Sequence, residues 1–220
     1  MNRASLCAGE FKYSSTYFNK SFEYILCEII NIYKDIVAKK LKMENDENKI
    51  KDVIFNKYLK KDKYKKNHPP LSDYHFSIEG KEPKGRTDIQ ILPINPYLGQ
   101  DCYYIIECKR LDNKKPDGMT GLNAQYIEEG IDRFINAKKY PAYKNTAGMI
   151  GFVVASMDID NNIKSINKLL KNCFPAITTT EFLTKKQLRL DFSYAYFSKH
   201  EVEGKEKLLY HLMFDFSLNM

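Results

Sequence analysis

The hydrophobic pattern of the chain changes at His68-Pro69-Pro70. Before this tripeptide, apolar residues recur at helical spacing. After it, they form short alternating or continuous runs separated by Gly, Pro and Asn, which is typical of strands and turns. Two successive prolines end a helix, because proline has no amide hydrogen and restricts the residue before it. The sequence therefore predicts helices first and a sheet afterwards.

Two helices are predicted before the prolines. Residues 21–41 carry an apolar stripe of Phe22, Ile25, Leu26, Ile29, Ile30, Tyr33, Ile36 and Val37. Residues 47–64 form a second, lysine-rich helix, whose buried side is made of Ile50, Val53, Ile54 and Tyr58.

Three antiparallel strands are predicted next, in the runs YHFSIEG, GRTDIQILPI and CYYIIECKRL. A helix over residues 122–138 follows, with a core stripe of Ala124, Ile127, Ile131, Phe134 and Ile135. The remaining elements are a strand GMIGFVVAS, a short helix over residues 163–171, and two late strands, LRLDFSYAYFS and KLLYHLMFDFS. The order ααβββαβαββ indicates an α/β sandwich with a mixed central sheet.

Composition limits the class of protein. The 220 residues suit a single domain spanning residues 1–220. No apolar run is long enough to span a bilayer and no secretory signal begins the chain, so we expect no membrane contact and a cytoplasmic location. The five cysteines contain no C-x-x-C pair, which argues against a zinc site or a disulfide framework. A net charge of +7 favours polyanions only modestly.

One acidic tripeptide carries a chemical signal. The chain contains seven (D/E)-x-K tripeptides, and six of them lie in polar or turn-like stretches, where they are read as solvated charge. Those six begin at Glu10, Glu47, Glu79, Glu82, Asp112 and Glu203. Only Glu107-Cys108-Lys109 ends an apolar strand. Because side chains alternate along a strand, Glu107 and Lys109 share one face.

The preceding strand offers a second carboxylate, Asp88, whose neighbours Ile89 and Ile91 would pack in the core. A hairpin of adjacent strands can bring Asp88 to Glu107. Two converging carboxylates suit Mg²⁺, which keeps several waters for chemistry. Such an ion polarises a phosphodiester and activates a water, and Lys109 would orient that water or neutralise charge.

These residues resemble a known family. The segments Gly85-Arg-Thr-Asp88 and Ile105-Ile-Glu107-Cys-Lys109, with the αβββαβ order, look like the PD-(D/E)xK, or restriction endonuclease-like, nuclease superfamily. Thr87 stands where the family's motif has proline. The resemblance covers roughly residues 20–156. It implies a restriction endonuclease-like αβββαβ core with extra C-terminal strands.

The resemblance also implies further site residues. A third acid is expected from the first helix, with Glu23 favoured as a metal ligand and Glu28 as the alternative. The helix after the motif would bring Gln125 to the site as a catalytic or phosphate-contacting group, and Arg133 as a phosphate ligand.

Two other groups of residues have competing interpretations. Six lysines at positions 57, 60, 61, 63, 65 and 66, interleaved with Tyr58 and Tyr64, either grip a phosphate backbone or form a solvated helix face. His200 and His211 have no metal-site spacing and are interpreted as structural.

The function expected from this sequence is a Mg²⁺-dependent DNA nuclease, with Mn²⁺ able to substitute, in bacterial or phage defence or in DNA processing. A homodimer suits the two cuts of a duplex. The small room for a separate DNA-reading domain indicates either low intrinsic specificity or a helper protein. The alternatives are an inactive nucleic-acid- or partner-binding module of the same fold and an RNA-processing enzyme.

Overall fold

A computed structural model describes residues 14–82, 85–95, 102–135, 140 and 145–220. The first helix, α1, spans Ser14–Ala38. It therefore begins earlier than the predicted residue 21 and ends slightly sooner than residue 41. Most of the predicted stripe, from Phe22 to Ile36, is buried against the sheet, whereas Val37 is exposed.

The second predicted helix is not continuous. It consists of α2, Glu47–Ile54, a π-helical turn, Phe55–Leu59, and then α3, Asp62–Lys66. The wider π turn lets Phe55, Tyr58 and Leu59 all point inward. The prediction of one helix over residues 47–64 is therefore wrong after residue 59. A short helix, α4, spans Pro69–Ser72 and begins at the proline pair.

Three strands follow, as predicted. They are β1, Tyr74–Glu82, β2, Gly85–Pro93, and β3, Tyr104–Leu111. Both neighbouring pairs, β1 with β2 and β2 with β3, are antiparallel.

The predicted helix over residues 122–138 is present as α5, Leu122–Tyr126, a π-helical turn, Ile127–Ile131, and α6, Asp132–Ile135. Residues 136–138 of that prediction lie outside the described residues. Strand β4, Thr146–Val153, and helix α7, Ile159–Cys173, match predicted elements with shifted ends.

The end of the chain differs more from the prediction. Strand β5, Thr179–Lys185, was not predicted. Strand β6 covers Ala195–Val202, so the LRLDF part of the first late strand lies outside it. Strand β7, Lys205–Asp215, matches the second late strand.

All seven strands form one mixed sheet in the order β1-β2-β3-β4-β7-β6-β5. Strand β4 is parallel to both β3 and β7, and the other pairs are antiparallel. One hydrophobic core lies between the sheet and α1 with α2, and a second lies between the sheet and α5–α7. The α/β prediction, with helices flanking a mixed sheet and additional C-terminal strands, is therefore confirmed at this level. Within the described ranges, the helices include none with the length and apolarity to cross a bilayer.

Candidate active site

Asp88 and Glu107 face each other across two neighbouring strands. The regular pairing of β2 with β3 ends at Ile89↔Ile106, and Asp88 and Glu107 occupy the next positions in the same register. Where the pairing ends, Asp88 Oδ2 accepts the backbone N–H of Cys108 at 2.8 Å. The Asp88 side chain thus takes over a hydrogen bond that the sheet does not make, and this fixes it beside Glu107.

Glu107 is the most constrained carboxylate of the site. It is fully buried, and its Oε1 accepts from Lys109 Nζ at 3.1 Å and from Arg133 Nη1 at 2.8 Å. Its Oε2 is buried without a hydrogen-bond partner, alone among the side-chain atoms of the described residues. Burial, followed by the charge of Asp88, raises the pKa of Glu107 to about 8. A buried acceptor without a partner is costly, so Oε2 is a position at which a further partner would be stabilising.

Lys109 lies beside Glu107, as the sequence predicted, and a second acid holds its amine. Lys109 Nζ is 2.8 Å from Glu47 Oε1, and Glu47 Oε2 accepts the backbone N–H of Arg110 at 3.3 Å. Burial alone would lower the pKa of Lys109, but Glu107 and Glu47 outweigh it, and the pKa is raised. Lys109 therefore stays charged at neutral pH.

The expectation that Glu47 is solvated charge is wrong, because Glu47 binds the Lys109 amine. Glu47 lies in the first turn of α2, just after the N-cap residue Asp46, whose side chain accepts from Lys49 N. A helix start is recognisable from the Asp-Glu pair, but the pattern does not show that this start lies against β3.

Lys51 is a second residue that the sequence analysis missed. Its amine is 2.7 Å from Asp88 Oδ1 and 3.0 Å from Asn48 Oδ1, and its side chain is only 4% exposed. Burial would lower the pKa of Lys51, but the Asp88 carboxylate raises it. The only sequence signal is a lysine between Ile50 and Ile54 on the buried side of α2, where a solvated residue is not expected.

Arg133 reaches the site, as the sequence suggested. Its Nη1 donates to Glu107 Oε1 and, at 2.9 Å, to the hydroxyl of Tyr140. That hydroxyl in turn donates to the backbone carbonyl of Arg86 at the start of β2. Burial and the charge of Glu107 raise the pKa of Tyr140 to about 12, so it remains a neutral donor. A chain of three groups therefore ties α6 to β2 above Glu107.

The structure does not bring Glu23 to this site. Its Oε1 accepts from Tyr210 on β7 at 2.8 Å and lies 2.9 Å from Lys186 Nζ. Strand β7 is two strands away from β3, and Tyr210 belongs to the core on the α1 face, whereas Glu107 faces the opposite side. The expectation that Glu23 supplies the third acid is corrected: Glu47 is the helix carboxylate at the site.

The alternative acid and the predicted glutamine are also elsewhere. Glu28 Oε2 lies 2.6 Å from His68 Nδ1 and accepts from Asn31 at 3.0 Å. Gln125 is exposed on α5 and makes no side-chain hydrogen bond with the described residues.

The cluster contains three carboxyl groups, those of Glu47, Asp88 and Glu107, and they face the cations Lys51, Lys109 and Arg133. Across the part of the chain that the structure describes, no group of three or more His, Cys, Asp and Glu side chains could enclose a metal ion. An open magnesium site needs fewer protein ligands, since Mg²⁺ binds through one or two carboxylates and keeps its waters.

The residues present fit such an ion. Asp88 and Glu107 supply hard oxygen donors on adjacent strands, and Glu107 Oε2 is a buried oxygen with no other partner. Comparison of the chain with protein-family models, curated proteins and solved structures finds no significant match.

Proposed function

We propose that this protein is a metal-dependent nuclease that hydrolyses DNA phosphodiester bonds, with a restriction endonuclease-like core. The observation that carries the proposal is the unpartnered, fully buried Oε2 of Glu107, next to Asp88 and beside a charged lysine. The resemblance of Asp88 and the Glu107-Cys108-Lys109 tripeptide to the PD-(D/E)xK motifs supports the same reading.

Asp88 and Glu107 would hold Mg²⁺ or Mn²⁺. A bound divalent ion supplies Lewis-acid polarisation of the phosphodiester and a water of lowered pKa. Lys109, positioned by Glu47, stays protonated and holds the attacking water or neutralises the developing negative charge. Arg133, about one-third exposed in its side chain, can turn a free N–H towards a phosphate while Tyr140 keeps it above Glu107.

The choice of a nucleic acid is supported by an exposed lysine cluster that follows α2, the helix that carries Glu47 and Lys51. We call residues 57–66, which contain six lysines and one acidic residue, the basic arm. Of these six lysines, only Lys65 has an ion-pair partner among the described residues, and that partner is Asp62 at 3.5 Å. Lysines elsewhere on the surface, such as Lys34 and Lys168, do pair with carboxylates. The uncompensated charge of the basic arm favours a polyanion.

The basic arm is rigidly placed. The Tyr58 hydroxyl donates to Asp35 on α1 at 2.7 Å, and the Tyr64 ring stacks on His68 with centroids 4.1 Å apart. These tyrosines are therefore occupied as anchors and are not free to stack on bases. Helix α2 carries Lys51 in the site and continues towards the arm, and six residues of helix place Lys57 about 9 Å further along the axis.

Neutralising the basic arm should weaken DNA binding without changing the cluster around Glu107. A variant with four lysines of the basic arm replaced should have a smaller salt slope of DNA binding, by up to about 0.9 for each lysine that contacts a phosphate. Its four changes are Lys57→Gln, Lys60→Gln, Lys61→Gln and Lys66→Gln. Binding is measured in EDTA, so that cleavage plays no part. A control with equal charge change, at Lys164, Lys168, Lys171 and Lys185 around α7, should keep the wild-type slope. Equal salt slopes in both variants would show that the lysines of the basic arm are only a solvated surface.

Lys51 offers a test of metal binding through stability. Lys51→Met leaves Asp88 without its cation next to Glu107, so in EDTA the free energy of unfolding should fall by about 3 kcal/mol. Millimolar Mg²⁺ should restore much of the melting temperature, because the ion replaces the missing positive charge. Lys34→Met, which removes an exposed pair with Asp191, is the control and should show neither effect. A Lys51→Met protein that Mg²⁺ does not rescue would count against a cation site at Asp88.

A second function, a nucleic-acid- or partner-binding module with the same fold, is favoured by one observation. Asp88 and Glu107 already have Lys51, Lys109 and Arg133 as cationic partners, so the folded cluster is held together without a metal ion. Titration of Mg²⁺ and Mn²⁺ with DNA and RNA substrates in parallel distinguishes the three functions. Cleavage of DNA supports the nuclease, cleavage of RNA alone supports an RNA-processing enzyme, and binding without cleavage supports the module.

A further inference from the structure

A buried row of polar side chains crosses the sheet on the face of α5–α7, away from the basic arm. His211 on β7 and His200 on β6 are both fully buried, and Ser198 lies between them. Ser198 Oγ is 2.8 Å from Nε2 of each histidine. The row continues from His211 Nδ1 to the Tyr126 hydroxyl at 2.8 Å, and from His200 Nδ1 to Thr179 Oγ1 at 3.1 Å.

The two ends of the row fix the direction of its hydrogen bonds. At one end, Thr179 Oγ1 is 3.4 Å from the carbonyl of Ile177, which can only accept. At the other end, the Tyr126 hydroxyl has no acceptor among the described residues except His211 Nδ1. The fully buried Tyr126 hydroxyl must therefore donate to His211, whereas the half-buried Thr179 hydroxyl can donate to the Ile177 carbonyl.

The intermediate bonds follow from these ends. His211 receives a proton donor at Nδ1, so its own proton is on Nε2 and points at Ser198. Ser198 then donates to His200 Nε2, and His200 carries its proton on Nδ1, which donates to Thr179. Every polar hydrogen in the row has an acceptor in this direction. The reverse direction would leave the Tyr126 hydroxyl hydrogen buried without an acceptor, which is unfavourable.

The row begins on the helical segment that carries Arg133. Tyr126 is the last residue of α5. On α6, the backbone carbonyl of Phe134 accepts a hydrogen bond from the Lys207 amine at 2.6 Å. Lys207 and His211 are four residues apart on the same face of β7. Strand β7 therefore holds this segment at both ends, and Gly130 between them packs directly on Met149, where a Cβ would lie 2.4 Å from the Met149 methyl carbon.

We propose that Tyr126, His211, Ser198, His200 and Thr179 form a one-directional relay of neutral side chains that clamps the α5–α6 segment to the sheet, and that proton uptake by the relay releases the clamp. The relay does not depend on the proposed nuclease function. Its effect on the candidate site would pass through Arg133, whose place above Glu107 depends on the position of α6.

Adding a proton to either histidine breaks this series of hydrogen bonds. Protonated His211 would point an N–H at the Tyr126 hydroxyl, and protonated His200 would point one at Ser198, which leaves a hydroxyl hydrogen without an acceptor in either case. The charged groups facing the row are also unfavourable to an imidazolium. Lys207 is the cross-strand neighbour of His200, and no carboxylate among the described residues pairs with either ring.

Burial and the nearby Lys207 lower the pKa of His200 to about 4. Burial lowers the pKa of His211 well below the ordinary value of histidine. The Lys207 amine has its own pKa lowered to about 8 by burial, with Glu203 opposing the shift. On the same face, burial raises the pKa of the Tyr126 phenol and of the Tyr196 phenol, so both are neutral, whereas the buried Cys108 thiol lies on the opposite face of the sheet. Because the folded histidines have depressed pKa values, the clamp is intact above about pH 6.5, the ordinary pKa of histidine, and is lost as the pH falls towards 4.

The direct test is the tautomer of each histidine in the wild-type protein, read from ¹⁵N chemical shifts and two-bond ¹⁵N–¹H correlations at pH 7. We expect the Nε2–H form for His211 and the Nδ1–H form for His200, both neutral. Either ring in the opposite tautomer, or charged at pH 7, would overturn the relay.

The clamp is tested by amide hydrogen exchange in residues 122–135. Tyr126→Phe removes the first donor and should speed exchange in this segment about tenfold or more at pH 7, whereas α7 keeps its protection. Tyr196→Phe, which removes the hydroxyl that donates to Asp160 at 2.5 Å, is the matched control and should leave the segment unchanged. In wild type, the same acceleration should appear near pH 4.5 after correction for intrinsic exchange. Unchanged protection in Tyr126→Phe, or no opening in acid, would refute the clamp.

Discussion

Asp88→Asn and Glu107→Gln should each abolish metal-dependent cleavage and lower the affinity for Mg²⁺ and Mn²⁺, whereas Lys109→Met should keep metal binding and lose turnover. The first two changes remove carboxylate oxygens that would bind the ion. Lys109 would not bind the metal, but its charge would act on the water and the transition state. Its loss should therefore reduce the rate by about 10²-fold or more.

The measurements are cleavage with Mg²⁺ or Mn²⁺, calorimetric metal binding, and thermal melts for all three variants. Arg110→Met is a control, because Arg110 adjoins Lys109 but its guanidinium binds Asn45 at the surface. It should retain activity. If Lys109→Met lost metal binding along with turnover, or if Asp88→Asn remained active, the roles assigned here would be wrong.

Glu107→Gln should stabilise the metal-free protein at pH 8 and remove part of its pH dependence. The folded protein holds the pKa of Glu107 at about 8, above its ordinary value of 4.5, so the folded state binds this proton more tightly than the unfolded state. Stability from this group is therefore complete below about pH 4.5 and falls as the pH rises towards 8. Each unit of such a shift corresponds to about 1.4 kcal/mol, so the difference between wild type and variant should reach a few kcal/mol.

The measurement is the free energy of unfolding in EDTA at several pH values between 5 and 8.5. The difference between wild type and Glu107→Gln isolates this carboxyl from the histidines, which change stability with the opposite sign. Glu206→Gln, at an exposed carboxylate near Lys199, is the control and should follow wild type. If the free energy of unfolding of wild type and of Glu107→Gln changed in parallel with pH, ionisation of Glu107 would cost no stability. Its unpartnered oxygen would then not need a cation.

The parts of the site that the sequence predicted depend on local rules. Alternation along β3 places Glu107 and Lys109 on one face, and the antiparallel register of β2 with β3 follows from their closeness in the chain. Asp88 was identified because it is an acidic residue in a strand whose neighbouring residues Ile89 and Ile91 are buried in the core.

The helix acid could not be predicted in the same way. A helical wheel shows in which direction Glu23 points from α1, but not which strand lies beneath it, and that strand is β7. Glu47 and Lys51 contact β2 and β3 only because a chain reversal after α1 brings α2 to the end of those strands. Such a contact between distant segments leaves no periodic signal in the sequence.

The missed elements of the fold have similar causes. Strand β5, with the sequence TTEFLTK, is an edge strand with one buried residue, so it has no clear alternation of apolar and polar residues. The π-helical turns at Phe55–Leu59 and Ile127–Ile131 add one residue to a helical turn, and they are set by packing rather than by propensity.

The position of Mn²⁺ in crystals of the wild-type protein, located by anomalous scattering at the manganese edge, tests whether Asp88 and Glu107 bind a metal ion. We expect one strong peak between the Asp88 and Glu107 carboxylates, at a coordination distance close to the roughly 2.1 Å of Mg²⁺, with Glu107 Oε2 among the ligands. Lys51 should then have moved away from Asp88. Crystals grown with millimolar Mn²⁺ that show no peak at this pair, with Lys51 still bound to Asp88, would contradict a metal-dependent active site.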